Sequence, residues 1–451
     1  MGERDKIDGV PVKSVSFSEA FRFWLKLGFI SFGGPAGQIA IMHQELVERR
    51  RWISDRRFLH ALNYCMMLPG PEAQQLATYI GWLMHRTWGG IVAGGLFVLP
   101  SLILLLGLSW LYMAFGHMPL IEGLFYGIKP AVIAIIVQAV YRIAGRTLKN
   151  PLTWAIAAAA FLAMFVLQTP FPLIVLGAAV IGAVAGRFRP ALFAVTASHT
   201  GAASEGPAMI DDATPPPDHA RFRGLRLAVI LAIGLVLWAG PIVAAGLALG
   251  WEHPISRMGV FFSKAALLTF GGAYAVLPYV YQGAVTQYGW LSAPQMIDGL
   301  ALGETTPGPL IMVVTFVAFV GGWNTAWLGA DMRVAAAMIA AVWVTWFTFL
   351  PSFLFIFAGG PLIESTHNRL SFTAPLTAIT AAVVGVILNL ALFFGYHVLW
   401  PKGFGGPFDV VSAGLAIAAA FALIVFRAHV IAVIAACALA GLVLSVAPGL
   451  T

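Results

Sequence analysis

Two small-residue breaks interrupt apolar sequence near the start of this chain, and both recur 238 residues later. The first is Phe32-Gly33-Gly34-Pro35, which returns as Phe270-Gly271-Gly272. The second is Pro69-Gly70-Pro71-Glu72, which returns as Pro307-Gly308-Pro309 with Glu304, Thr305 and Thr306 before it. Trp52 and Trp290 keep the same offset. Aligned without gaps, Phe23–Pro71 and Phe261–Pro309 agree at 13 of 49 positions. Composition alone would give roughly three to five, so the chain is built on an internal repeat. A fold for this sequence must therefore contain two copies of a unit whose helices are broken in the same places.

The repeat lies in a chain of 451 residues that is 60% hydrophobic and 10% charged, with a mean hydropathy of +0.87. Such a sequence cannot hide its apolar surface in water, and it reads as an all-α polytopic membrane protein. Its polar start, Met1–Ser16, has no signal peptide pattern, and Lys6 stands where myristoylation needs Ser or Thr. Cys65 and Cys437 sit in apolar surroundings and read as buried packing residues. The net charge of +7 suits basic cytoplasmic loops and points to no nucleic acid partner.

Hydropathy gives thirteen apolar blocks. Six lie in a first repeat, 1–186, and six in a second, 251–451. Between them, 187–224 has the composition of a disordered cytoplasmic linker and 225–250 reads as an extra transmembrane helix. The four broken blocks have arms of about 14 residues, or about 21 Å of helix, short of a hydrocarbon core of roughly 30 Å. Each is either a re-entrant hairpin with its tip at mid-membrane or one kinked crossing. With every block crossing once, the Lys and Arg outside the membrane divide 14 to 8; with re-entrant hairpins they divide 19 to 3, Arg49, Arg50, Arg51, Arg56 and Arg57 falling on the cytoplasmic side. The second division obeys the positive-inside rule better. In either case an odd number of crossings separates the repeats, so they are inverted, the architecture of many secondary transporters.

A helix broken inside a membrane leaves backbone N–H and C=O groups that protein, water or a ligand must satisfy. An arm that begins at a break offers N–H groups and a positive dipole end, which suits an anion. The candidate binding residues are therefore Phe32, Gly33, Gly34, Pro69, Gly70, Pro71, Phe270, Gly271, Gly272, Pro307, Gly308 and Pro309, with Gln74, Gln75, Thr305 and Thr306 as hydrogen-bonding neighbours. The bland alternative is that these glycines and prolines only permit kinks and tight packing. Lys26 and Lys264 are repeat equivalents six residues before each Phe-Gly-Gly and are candidates to offset anionic charge, or else they snorkel to the interface. Glu72 and Glu304 beside the Pro-Gly-Pro breaks are candidate proton carriers, or else structural ion-pair partners. Lys129 ranks below these because its counterpart is Ala374, and His60 and Asp298 are equivalents that read as polar lining. Sequence patterns for zinc hydrolases, serine hydrolases, P-loops and Cys-x-x-Cys sites are missing, so neither an enzyme, a cofactor nor a metal site is expected.

At these residues the chain resembles the chromate ion transporter family in its long, two-domain form. Phe32-Gly33-Gly34-Pro35 with Gln38, the run Leu68–Trp82, Thr269-Phe270-Gly271-Gly272-Ala273-Tyr274 and Glu304–Pro309 carry the resemblance. It implies a multi-pass protein of the bacterial inner membrane that exports chromate, with sulfate as a related dianion. Uptake or exchange of sulfate or another oxyanion is the alternative, and an integral membrane enzyme the alternative of another class. The expected partners are the oxyanion, the lipid bilayer and a second copy of the chain in a homodimer.

Overall fold

The structure, a computed structural model, describes residues 15–32, 34–189, 208–211, 217–365 and 373–446. It is all-α: no strand occurs among the described residues, only one isolated bridge between Ile53 and Ile210. The first half runs α1 (Phe17–Ile30), α2 (Gly34–His43), a π-helical turn (Gln44–Arg49), α3 (Asp55–Met67), α4 (Glu72–Phe115), α5 (Pro119–Thr147), α6 (Pro151–Phe165) and α7 (Phe171–Phe188). Next comes α8 (Gly224–Leu249). The second half runs α9 (Pro254–Leu268), α10 (Ala273–Tyr281), a π-helical turn (Gln282–Gln287), α11 (Ala293–Thr305), α12 (Val313–Thr325), α13 (Arg333–Ser365), α14 (Thr373–Leu399), α15 (Val410–Ile424) and α16 (Val430–Val446). Six helical stretches, those at 72–115, 119–147, 171–188, 224–249, 330–364 and 374–399, are long and apolar enough to cross a membrane. The protein is a multi-pass membrane protein.

Each broken block is two helices that leave from and return to the same end. Arg50, just after the first π turn, is 3.8 Å from Glu19 and lies over the rings of Phe23 and Trp52, so the start of α1 meets the end of the return arm. Arg57 at the start of α3 and Tyr79 on the first arm of α4 both bond Glu364. At His85 and Arg86 the backbone of α4 leaves helical geometry and the chain reverses, bringing Gly81 against Gly89 and Ala93. The stretch 72–115 is thus a sharp hairpin inside one hydrogen-bonded run, its arms belonging to two of the apolar blocks of the sequence. In the second half Arg257 lies over Tyr288, and the Asn324 side chain donates to the Trp290 carbonyl. In all four broken blocks the two arms fold back on each other as a hairpin, the geometry expected of a re-entrant segment.

The halves point in opposite directions. The first-half hairpins open at the end where Ile53, Ile210, Trp82 and His219 meet, and α8 starts there, Arg226 donating to the His219 carbonyl. α8 ends beside Trp251 and leads to the far end, where His253, Trp327 and Trp343 cluster and the second-half hairpins open. Within 187–224, expected to be a disordered linker, the described segments around Ile210 and Ala220 are docked. Ile210 and Ala220 are buried, and Ser54 donates to the Ile210 carbonyl at 2.9 Å. Their apolar side chains fill the mouth of the first-half hairpins, which a composition average over the whole stretch conceals.

The helices outside the hairpins are exchanged between halves. α5 packs on α15 and α16, and α14 packs on α6 and α7. Small residues set these contacts: Gly127 meets the backbone of Cys437 and Gly441, and Gly385 that of Ala157. Lipid is as apolar as a leucine, so close backbone approach has to supply much of this cohesion.

Candidate functional site

The four hairpin tips meet in the middle of the molecule, and two hydrogen bonds join them. Gly308 N–H donates to the Ser31 carbonyl at 2.8 Å, and Gly70 N–H donates to the Thr269 carbonyl at 2.7 Å. Ser31 and Thr269 are repeat equivalents, as are Gly70 and Gly308, so the two bonds are one bond seen twice. The hydroxyls repeat the pattern, Ser31 donating to the Leu27 carbonyl at 2.6 Å and Thr269 to that of Ala265 at 2.7 Å. Each Pro-Gly-Pro tip therefore docks on the end of the opposite half's first inbound helix.

Gly70 and Gly308 are glycines for two reasons. Their φ angles are 126° and 101°, where a Cβ is strained, and a Cβ would come within 2.5 Å of Ser352 Oγ and 2.9 Å of Ser101 Cβ. Ser101 and Ser352 are themselves equivalents, each following a mid-helix proline. Gln38, a turn into α2, donates to the Gly308 carbonyl at 2.6 Å and to Ser31 at 3.3 Å. Gln75 donates to the Pro69 carbonyl at 2.8 Å and to Ser352 Oγ at 3.3 Å, and Gln74 to Thr78 at 3.1 Å.

The return arms α2, α4 and α10 begin at the tips, and α12 begins there after a 3-10 turn at 310–312. First-turn N–H groups have no acceptor within their own helix, so four positive helix ends converge on one region. Gln74 Oε1, Gln75 Oε1 and Ser101 Oγ are buried there without a hydrogen-bond partner. A buried polar group left open is costly; the Ser101 hydroxyl is free to donate, and the two amide oxygens are acceptors open to a donor or to rotation of the amide. The tips are partly open: Gly271 is exposed, and Phe32, Gly34, Pro69, Phe270 and Thr305 are half-buried, whereas Pro71, Thr306, Pro307 and Pro309 are buried. Gly33 lies outside the described residues.

The charged candidates divide. Glu72 opens α4 and Glu304 ends α11, and Glu304 accepts the Tyr274 hydroxyl. The guanidinium of Arg142 lies within electrostatic range of Glu304, and that of Arg146 within range of Glu72. Both arginines are exposed, a turn apart on α5. Lys26 and Lys264 stand on the exposed sides of α1 and α9, and the described tip contacts do not include them. The positive side chains brought toward the tip carboxylates thus come from α5, and the sequence reading did not place them among the candidates. Their i,i+4 spacing on an apolar helix was the available signal. Tyr274 and Gln38 were visible as motif residues without a role, and the signal for Ser101 and Ser352 is that each follows a proline inside an apolar run. Among the described residues no cluster of His, Cys, Asp and Glu could hold a metal ion.

A family model described as chromate transporter matches residues 18–183 and 256–442, both halves including all four tips. The chain belongs to the chromate transporter family. A chromate transport protein of Pseudomonas aeruginosa is 33% identical over 376 residues, covering 83% of this chain and 80% of that one. One of Cupriavidus metallidurans is 30% identical over 373 residues, covering 82% and 80%. An uncharacterized transporter of Bacillus subtilis, YwrB, is 28% identical over 146 residues, which is 32% of this chain but 74% of its own length. No solved structure matches this family member.

Proposed function

We propose that this protein is a secondary transporter that exports chromate across the inner membrane, binding the tetrahedral oxyanion where the four hairpin tips meet. The observation that carries the reading is the pair of equivalent hydrogen bonds, Gly308 to Ser31 and Gly70 to Thr269, which holds four helix N-termini around one point. A dianion there is stabilised by backbone N–H groups and helix dipoles, each dipole contributing about 0.3–1 kcal/mol at an exposed site and more in a dry one. The Ser101 hydroxyl is free to donate to the anion, and Gln74 and Gln75 add donors when their amides turn and release Thr78, Pro69 and Ser352. Family membership supports chromate over other anions, because relatives spanning most of this chain are named chromate transport proteins.

The end that holds Arg50, Arg57, Arg86 and Arg226 is assigned to the cytoplasm by the positive-inside rule. Arg142 and Arg146 then stand on the cytoplasmic approach and draw anions inward, while Glu72 and Glu304 oppose them. Protonation of these carboxylates removes a repulsion, so anion binding strengthens as pH falls, and Glu72 and Glu304 couple transport to protons. The inside-negative potential itself favours departure of a dianion. The test is flux of labelled chromate and sulfate in sealed vesicles containing only the purified chain. Saturable chromate flux, competed by sulfate and abolished by substitution at Gly70 or Gly308, is the expected outcome. Equal permeability of protein-containing and empty vesicles to both anions overturns the reading, and sulfate flux without chromate flux reassigns the substrate.

A further inference from the structure

A second charged cluster lies away from the tips and is not explained by the repeat. Asp298, on the inbound arm α11, is 3% exposed. Its Oδ2 accepts the Tyr112 hydroxyl of α4 at 2.9 Å and lies 3.7 Å from Nζ of Lys129 on α5. Its Oδ1 is buried without a hydrogen-bond partner among the described residues. The Lys129 side chain remains 29% exposed, so it is not sealed into the pair. Of the other helices packed on α11, α12 carries no titratable side chain, α16 carries Cys437, and α14 carries Tyr396 and His397 near its end. α4 and α5 also carry Arg86, Arg142 and Arg146, but among the described residues Lys129 is the cation within ion-pair distance of Asp298.

The opposite end of the molecule shows what a permanent clasp looks like. There Glu364 of α13 is engaged through both oxygens, by Arg57 of α3 at 2.6 Å and by Tyr79 at 2.5 Å. α3 is the repeat equivalent of α11, so the inbound arm of each Pro-Gly-Pro hairpin is clasped by a charged side chain of the other half. The Asp298 clasp is longer, leaves one carboxylate oxygen free and leaves its cation accessible. The repeat equivalents of Asp298 and Lys129 are His60 and Ala374, so this half-open clasp exists on one side only.

We infer that Lys129 is a second oxyanion-binding residue and that Asp298 is the group the anion displaces from it. This assignment rests on the oxyanion transport proposed above. An oxyanion moving from the tips along α11 takes the place of Asp298 on the Lys129 ammonium. The released carboxylate, buried and without a cation, takes up a proton from water; a carboxylate in low dielectric is held charged chiefly by its partner. When the anion leaves, Asp298 returns the proton to water and pairs with Lys129 again. Tyr112 holds the carboxyl in place in both states, because its hydroxyl can donate to the charged form and accept from the neutral one.

The experiment measures anion binding and proton uptake together, on the full chain in weakly buffered detergent solution with a pH-indicating dye. Sulfate is the probe, because it exchanges no proton of its own near neutral pH. Asp298→Asn is expected to bind sulfate at least as tightly as the unaltered protein while taking up a single proton fewer per anion. Lys129→Met is expected to weaken binding by about tenfold or more. The double variant Lys129→Met/Asp298→Asn removes both charges, so it folds without a buried unpaired carboxylate and should bind as weakly as Lys129→Met. An unchanged proton count in Asp298→Asn overturns the proton exchange, and unchanged affinity in the double variant overturns the binding role. Failure of the unaltered protein to bind either sulfate or chromate overturns the transport reading itself.

Discussion

At the scale of single residues, the tips separate glycines that matter for conformation from those that do not. Gly70→Ala and Gly308→Ala place a Cβ in a strained backbone region and against a serine. Each is expected to destabilise the tip by about 1–3 kcal/mol and to reduce flux in vesicles to background at normal membrane abundance. Gly95, in helical α4 with open space around it, is the control. Gly95→Ala is expected to retain flux and to raise thermal stability by about 0.5–1 kcal/mol, since alanine is the better helix former. Equal loss in all three would mean that the tip geometry has no special role. The carboxylates make a separate prediction. Glu72→Gln and Glu304→Gln should preserve anion binding and flatten the rise of flux as pH falls, measured from about pH 6 to 8. A profile identical to that of the unaltered protein would assign both to structural pairing with Arg146 and Arg142.

At the scale of elements, the hairpins explain how much of the fold could be read from the sequence. The breaks were legible because glycine and proline cannot be hidden in an apolar run and because they occur twice. The return path was legible only through the arginines, whose distribution favoured re-entrant arms before any contact was known. What was not legible is the partner of each tip: nothing local in Pro69-Gly70-Pro71 says that its N–H meets Thr269 rather than Ser31. Nor could the lysines be placed. Lys26 and Lys264 share a spacing to the breaks, but spacing along a helix does not say which face turns inward, and both turn outward. The orientation of the hairpins can be checked with exposed equivalents. Glu48 and Thr286 lie in the two π turns, both exposed, and both native cysteines are buried. Glu48→Cys and Thr286→Cys are expected to react with an impermeant thiol reagent from opposite sides of the membrane, Thr286→Cys in intact cells and Glu48→Cys only after opening them. Labelling from one side would contradict the inverted arrangement.

At the scale of the whole molecule, the exchange of α5 and α14 makes each half depend on the other. Separate chains ending and beginning within 212–216 should therefore accumulate poorly alone, but co-purify and restore flux when expressed together. A tag on one half with detection of the other decides the outcome; halves stable in isolation would mean that the exchanged helices contribute little. The short relative from Bacillus subtilis, aligned over most of its own length to about a third of this chain, is of the size such a half requires.

The two tip bonds also carry a historical consequence. In each, the donor belongs to one half and the acceptor to the other. A protein consisting of one half alone, with the same tips, could complete neither bond with a copy inserted the same way up. It would need a twin inserted upside down, and hence a sequence indifferent to its own orientation. In this chain the two halves are joined, and charge marks the direction of one of them. Arg49, Arg50, Arg51, Arg56 and Arg57 crowd the mouth of the first half, and the matching stretch of the second, 287–295, has no arginine or lysine at all.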